Sequence, residues 1–182
     1  MGLVMREGLF VARRQREVAA PAAVVYQMFA RLGGARGWLY ANWLWQLRGF
    51  LDYLIGGPGM RRGRAHPDEA HAGDIIDFWQ VEDVAPGTLL RLRAQMKVPG
   101  PAWLQFEAHP LAQGSTRLIQ TASFAPRGIL GRLYWYLLYP IHSVIFSGLI
   151  RKLARQAEDA FRQDQQAVGR PARWPDLGSR AR

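Results

Sequence analysis

The sequence contains no cysteine, which excludes disulfides, thiolate nucleophiles and cysteine-ligated metals. Lysine is nearly absent as well, since 22 of the 24 cations are arginine, and only 14 acidic residues oppose them. The formal net charge is +10. Apart from "ARRQR", "MRRGR" and "IRKLAR" the arginines are dispersed, and no nucleic-acid reader motif accompanies them. The charge reads as an arginine-rich surface, not a nucleic-acid footprint. No signal-peptide layout opens the sequence, which lacks the cationic start, apolar run and small-residue cleavage site. A cytoplasmic location is expected.

Long apolar runs are scarce too. Only residues 133–150, "LYWYLLYPIHSVIFSGLI", go 18 positions without Asp, Glu, Lys or Arg. That reaches the lower edge of the roughly 17–25 residues a spanning helix needs. Pro140, His142, Ser143 and Ser147 interrupt the run, and its aromatics favour an interface or a protein core over hydrocarbon. It reads as a buried core helix, not a transmembrane span.

What is present is a regular alternation of patterns. Residues 10–18 read as a strand with arginines on one side. Pro21 opens a helix carrying Val24, Val25, Met28, Phe29 and Leu32, which Gly33 and Gly34 end. A second helix is expected from about 40 to 55, where Leu44, Leu47, Leu51 and Leu54 form one apolar stripe. Four strand-like segments follow at 75–84, 88–98, 102–109 and 116–124. Their short separators, "APG", "PGP" and "PLAQGS", predict an antiparallel meander. A helix over about 129–165, bent at Pro140, closes a single domain spanning residues 1–165. Residues 166–182 form a basic tail expected to be disordered.

This order predicts an α+β protein of the helix-grip type, a curved antiparallel sheet wrapped around a long C-terminal helix. Three stretches carry a more specific likeness: "GGARGWLYANWLWQLRGFLDYLIGGPGMRRGR", "GDIIDFWQVEDVAPGTLLRLRAQMKVPGPAWLQFE" and "QTASFAPRGILGRLYWYLLYPIHSVIF". On these the chain resembles a domain-of-unknown-function family of the START-like, polyketide-cyclase-like (SRPBCC) superfamily. Members often sit C-terminal to an NAD(P)-binding, short-chain-dehydrogenase-like domain. The resemblance covers roughly residues 8–161. It implies a helix-grip fold with an internal hydrophobic cavity, and it implies no reaction. The dinucleotide fingerprint of such a partner domain is missing: "GGPGMRRG" follows a helix, contains a proline and has the wrong spacing.

Strand parity then nominates inward residues. Leu90, Leu92, Ala94 and Met96 share one face, as do Ala102, Leu104, Phe106 and Ala108. Gln120 interrupts the face of Leu118, Ala122 and Phe124. Asp77 interrupts that of Ile75, Trp79 and Val81, although Ile76 and Phe78 offer a competing face. His142 intrudes into the stripe of Leu138, Ile145, Leu149 and Leu153. Trp38, Asn42 and Trp45 recur at about helical spacing and read as the lid of a cavity. Trp38, Asn42, Trp45, Asp77, Trp79, Gln120 and His142 are therefore the candidate cavity residues. Local bonding of the polar ones to backbone or arginine is an equally open reading.

No metal or other cofactor is expected. Of the four histidines only His66 and His71 approach ligand spacing, and they read as part of a solvated loop with Asp68 and Glu69. Three functions stay open. One is binding of a hydrophobic small molecule, such as a lipid, isoprenoid or polyketide-like compound. Another is an enzyme or auxiliary oxidoreductase subunit using His142 with Asp77 or Gln120. The third is a module docking on a separate NAD(P)-binding protein or on a membrane surface.

Overall fold

The computed structural model describes residues 3–6, 8–57, 59, 64 and 66–168, with the side chains of 3–6 and 168 excepted. Seven antiparallel strands form one sheet: β1 (Leu3–Arg6), β2 (Leu9–Val18), β3 (Ile75–Ile76), β4 (Trp79–Ala85), β5 (Leu89–Ala94), β6 (Ala102–Pro110) and β7 (Thr116–Phe124). Their order is β1-β2-β7-β6-β5-β4-β3. The meander of β4 to β7 is the predicted one, and pairing of Phe10 with Phe124 through Val18 with Thr116 joins its last strand to β2. Short turns leave these strands no option but antiparallel neighbours.

Three helices cover the sheet: α1 (Ala22–Ala30), α2 (Asn42–Leu54) and α3 (Gly128–Val168), the last continuous through Pro140. Pro21 stands at the N-cap of α1. The C-terminal half of α3 supplies Leu149, Leu153 and Ala157 to a core shared with Val25 and Phe29 of α1 and Leu92, Leu104 and Phe106 of the sheet. A smaller cluster of Phe10, Phe124 and Trp135 lies towards the start of α3. The architecture is the expected α+β helix grip. Residues 169–182, most of the tail expected to be disordered, lie outside the described residues.

Four departures from the sequence reading shape the site. A strand, β1, precedes the first one expected. The segment 75–84 is two strands, because Asp77 takes φ +54° and, with Phe78, forms a two-residue turn that lets Ile76 pair with Trp79. The arginines of β2 do not share one side: Arg14 is buried on the inward face with Phe10, Ala12 and Val18. Finally, α2 is turned over. It buries Trp45, Gly49 and Asp52, while Leu47, Leu51 and Leu54 are 44, 48 and 62% exposed. Asp52 explains this orientation, since its carboxylate accepts bonds from the backbone N–H groups of Gly59 (3.1 Å) and Lys97 (2.8 Å). Those two bonds fix the polar group inside and leave Leu47, Leu51 and Leu54 largely exposed.

By length and composition α3 could cross a bilayer, and one third of its most apolar window is buried. The same helix contributes fully buried Leu149 and packs on β2, β7 and α1. Those contacts make it a core helix along its second half.

Candidate functional site

Between the sheet, the first half of α3 and α2 lies a cavity of about 210 Å³. The sheet supplies Trp79, Ala102, Ala122 and Phe124, and the connection between β5 and β6 supplies Met96. From α3 come Trp135, Leu138, Ile141, His142, Ile145 and Phe146, and from α2 come Leu44, Trp45, Leu47, Arg48 and Leu51. The space exists because small Ala102 and Ala122 sit under bulky α3 side chains, leaving room that neither partner fills. It lies between the two core clusters, where the helix and the sheet diverge.

Three of the seven nominated residues line this cavity: Trp45, Trp79 and His142. Trp45 is anchored by donating its indole N–H to the Tyr40 carbonyl (3.2 Å), and it stacks on Trp38 at 4.8 Å. The Trp79 indole nitrogen and His142 Nδ1 are shut off from solvent and have no partner among the described residues. Burial first, and then the cations of Arg48 and Arg14, lower the His142 imidazole from its ordinary value to about 4. At neutral pH it is an uncharged ring among apolar walls.

The other four stand outside the lining. Trp38 is fully buried core, not lid, because left-handed Leu39 and Ala41 separate it from α2. Its indole N–H donates to Asp77 (2.9 Å), which also accepts the Gly34 backbone N–H (3.2 Å). Burial raises the Asp77 carboxyl above its ordinary value, and those two bonds and the Arg64 cation only partly counter the rise. Asp77 belongs to a separate polar cleft with Gly33, Gly34 and Arg64. Asn42 accepts the Trp38 backbone N–H with its side-chain oxygen (3.3 Å) at an exposed position. Gln120 is fully buried and neither amide atom has a partner. Its cross-strand neighbours are Arg14 and Phe106.

Two residues that sequence reasoning passed over matter here. Arg48 lines the cavity, and Arg14 lies behind it, with its guanidinium 5.9 Å from the centre of the Phe146 ring. Arg14 is held by Ser147 and Ser143 of α3, both at 3.2 Å, and its remaining Nη1 has no partner. A signal for each existed. Arg14 has the parity of Phe10 and Ala12, and Arg48 lies four positions from Leu44 and three from Leu51.

His66, His71 and Asp74 bring one ligand atom each within 4.8 Å of one another on the surface. The His71 backbone N–H bonded to Asp74 (2.9 Å) holds these two together, and the His66 ring stands edge-on to that of His71 at 5.1 Å.

With this geometry in view, comparison with known proteins is informative. A family profile described as "Protein of unknown function (DUF2867)" matches residues 5–149. The chain belongs to this family. Among solved structures, the Zhui aromatase/cyclase from Streptomyces sp. R1128 is similar with a TM-score of 0.53 at 15% identity, covering 88% of this chain and 98% of that one. A truncated norcoclaurine synthase from Thalictrum flavum gives 0.51 at 10% identity, covering 81% and 92%. Among curated proteins nothing matches the sequence. These likenesses establish that a DUF2867 chain has the helix-grip fold, with its sheet and long last helix.

Proposed function

We propose that the protein binds an apolar small molecule, of lipid, isoprenoid or polyketide-like character, between the sheet and α3. The observation that carries this reading is the unfilled apolar space walled by Trp45, Trp79, Trp135 and Phe146. Small-molecule sites are concave and mostly apolar, with few polar groups. Incubating purified protein with a lipid extract and measuring retained compounds by native mass spectrometry tests it. Retention is expected for the wild type and loss for Ala122→Phe, which fills the floor. Equal profiles for the two proteins would contradict the reading. An acid–base pairing of His142 with Asp77 finds no support, because Asp77 is bonded to Trp38 and Gly34 in a different cleft.

A second reading is favoured by the surface around the cavity: docking on an anionic bilayer. Trp43, Phe50 and Leu54 of α2 and Ile129, Leu130, Leu133 and Leu137 of α3 are exposed. Residues 108–157 contain no Asp or Glu, and Asp52 of α2 is buried, whereas Arg127 and Arg132 are exposed. Apolar and aromatic side chains beside unopposed cations match the headgroup region of an anionic membrane. Vesicles of phosphatidylglycerol should sediment the protein at low salt and release it at high salt, unlike phosphatidylcholine vesicles. Leu133→Glu with Leu137→Glu should abolish that binding with the circular dichroism unchanged. No binding to either vesicle, together with a dimer by light scattering, would instead assign these faces to a second copy.

A further inference from the structure

We infer that the cavity is built for an amphiphile whose polar end is an oxygen anion, such as a carboxylate, with Arg48 as its charge partner. This rests on the cavity-binding reading above and deepens it by naming the ligand's charge. The walls hold a surplus of hydrogen-bond donors and, among the described residues, no carboxylate. Arg48 is the one lining residue charged at neutral pH, and among the described residues it has no ion pair or hydrogen bond. Among the described residues the indole nitrogens of two lining residues, Trp79 and Trp135, are buried without a partner, and indole N–H can only donate. Both tryptophans are more than nine-tenths buried. His142 Nδ1 is unpartnered as well, and Arg14 adds a second cation behind Phe146.

A neutral acceptor such as an alcohol or ketone satisfies an indole N–H but leaves the Arg48 cation unopposed in a mostly apolar wall. A cationic amphiphile meets two arginines and no acid. Of the three, the anion alone supplies Arg48 with an opposite charge, and Arg presents a planar fork suited to two oxygens. The apolar tail then occupies the space over Ala102 and Ala122.

Matched probes separate the possibilities: octanoate, octanol and octylammonium, titrated calorimetrically into the purified protein at pH 7. Octanoate is expected to bind about tenfold or more tighter than octanol, the scale of one charge-assisted hydrogen bond. Octylammonium is expected to bind weakest. Arg48→Gln should abolish the preference while octanol binding persists, and Arg48→Lys should restore part of it. Because Arg48 is partly exposed, these variants are expected to fold, which circular dichroism checks. Equal binding of octanoate and octanol, or tighter octylammonium, would overturn the anion assignment and leave the cavity reading standing. If none of the three binds, the cavity reading itself falls and the assignment with it.

Discussion

Single residues in this protein act mostly as acceptors and donors in places that water does not reach. Asp77 is the clearest case. Its two bonds come from buried or half-buried N–H groups of Trp38 and Gly34, so what the site needs is an acceptor more than a charge. Asp77→Asn keeps a carbonyl oxygen and tolerates the left-handed φ of +54°. It should leave urea stability within about 1 kcal/mol of wild type. Asp77→Ala strands the Trp38 indole N–H and should cost about 1–3 kcal/mol. Equal losses for the two variants would show that the carboxylate's charge, facing Arg64, is what matters.

His142 yields a pH dependence. Its folded value of about 4 lies below the ordinary 6.5, so the folded state refuses a proton that the unfolded chain accepts. Above pH 6.5 both states carry a neutral ring and stability is unaffected. As pH falls from 6.5 towards 4, stability should fall, by roughly 3 kcal/mol in total, and then level off. His142→Gln should flatten that part of the curve when thermal or urea stability is measured across it. An unchanged acid slope in the variant would place the lability elsewhere. Sequence patterning had marked both residues as polar intruders on apolar faces. What it could not give was their surroundings, because Asp77 sits in a turn that strand parity does not anticipate.

At the scale of elements, α2 is the instructive failure of pattern. Its leucines recur at helical spacing, and that stripe is ordinarily the buried face. Here Asp52 is claimed by two backbone N–H groups, one just beyond the helix at Gly59 and one from the remote Lys97, and those bonds set the roll of the helix. No spacing rule encodes partners at Gly59 and Lys97. The strands β5 to β7 were legible because alternation of period two survives whatever packs above it. The long last helix was equally legible, since Leu138, His142, Ile145, Leu149 and Leu153 keep one face throughout.

The segment preceding α2 touches α3 at one point that tolerates no extra atom. A Cβ on Gly148 would overlap the Tyr40 ring. Tyr40 in turn gives its carbonyl to the Trp45 indole, which lines the cavity. Gly148→Ala should therefore push Tyr40 away, cost about 1–3 kcal/mol and loosen the Trp45 wall. A red-shifted tryptophan emission with weakened octanoate binding is the expected signature. Unchanged stability and emission would mean that Tyr40 has room to turn aside.

The whole molecule is one sheet gripping one helix, but the grip is uneven. Along Leu149 to Ala157 the helix is buried in the main core with Val25 and Phe29 of α1 and Leu92, Leu104 and Phe106 of the sheet. Nearer its start Trp135 stacks on Phe10 and Phe124, and between these two contacts the helix stands over Ala102 and Ala122, with Leu44, Leu47 and Leu51 of α2 closing the gap. Fold class followed from element order alone. The position of the cavity did not, because it depends on which small sheet residues face which turns of α3, a pairing between segments far apart in sequence. The two arginines show the same limit: each had the right parity or spacing, but only tertiary placement brings Arg48 to the cavity and Arg14 behind Phe146.

The central claim is that this uneven grip leaves a ligand-sized space. A crystal structure grown with octanoate tests it most directly. Elongated density between Ala122 and His142, ending beside Arg48, is the predicted result. A gap closed by Met96 and Leu138, with no density other than side chains, would contradict it.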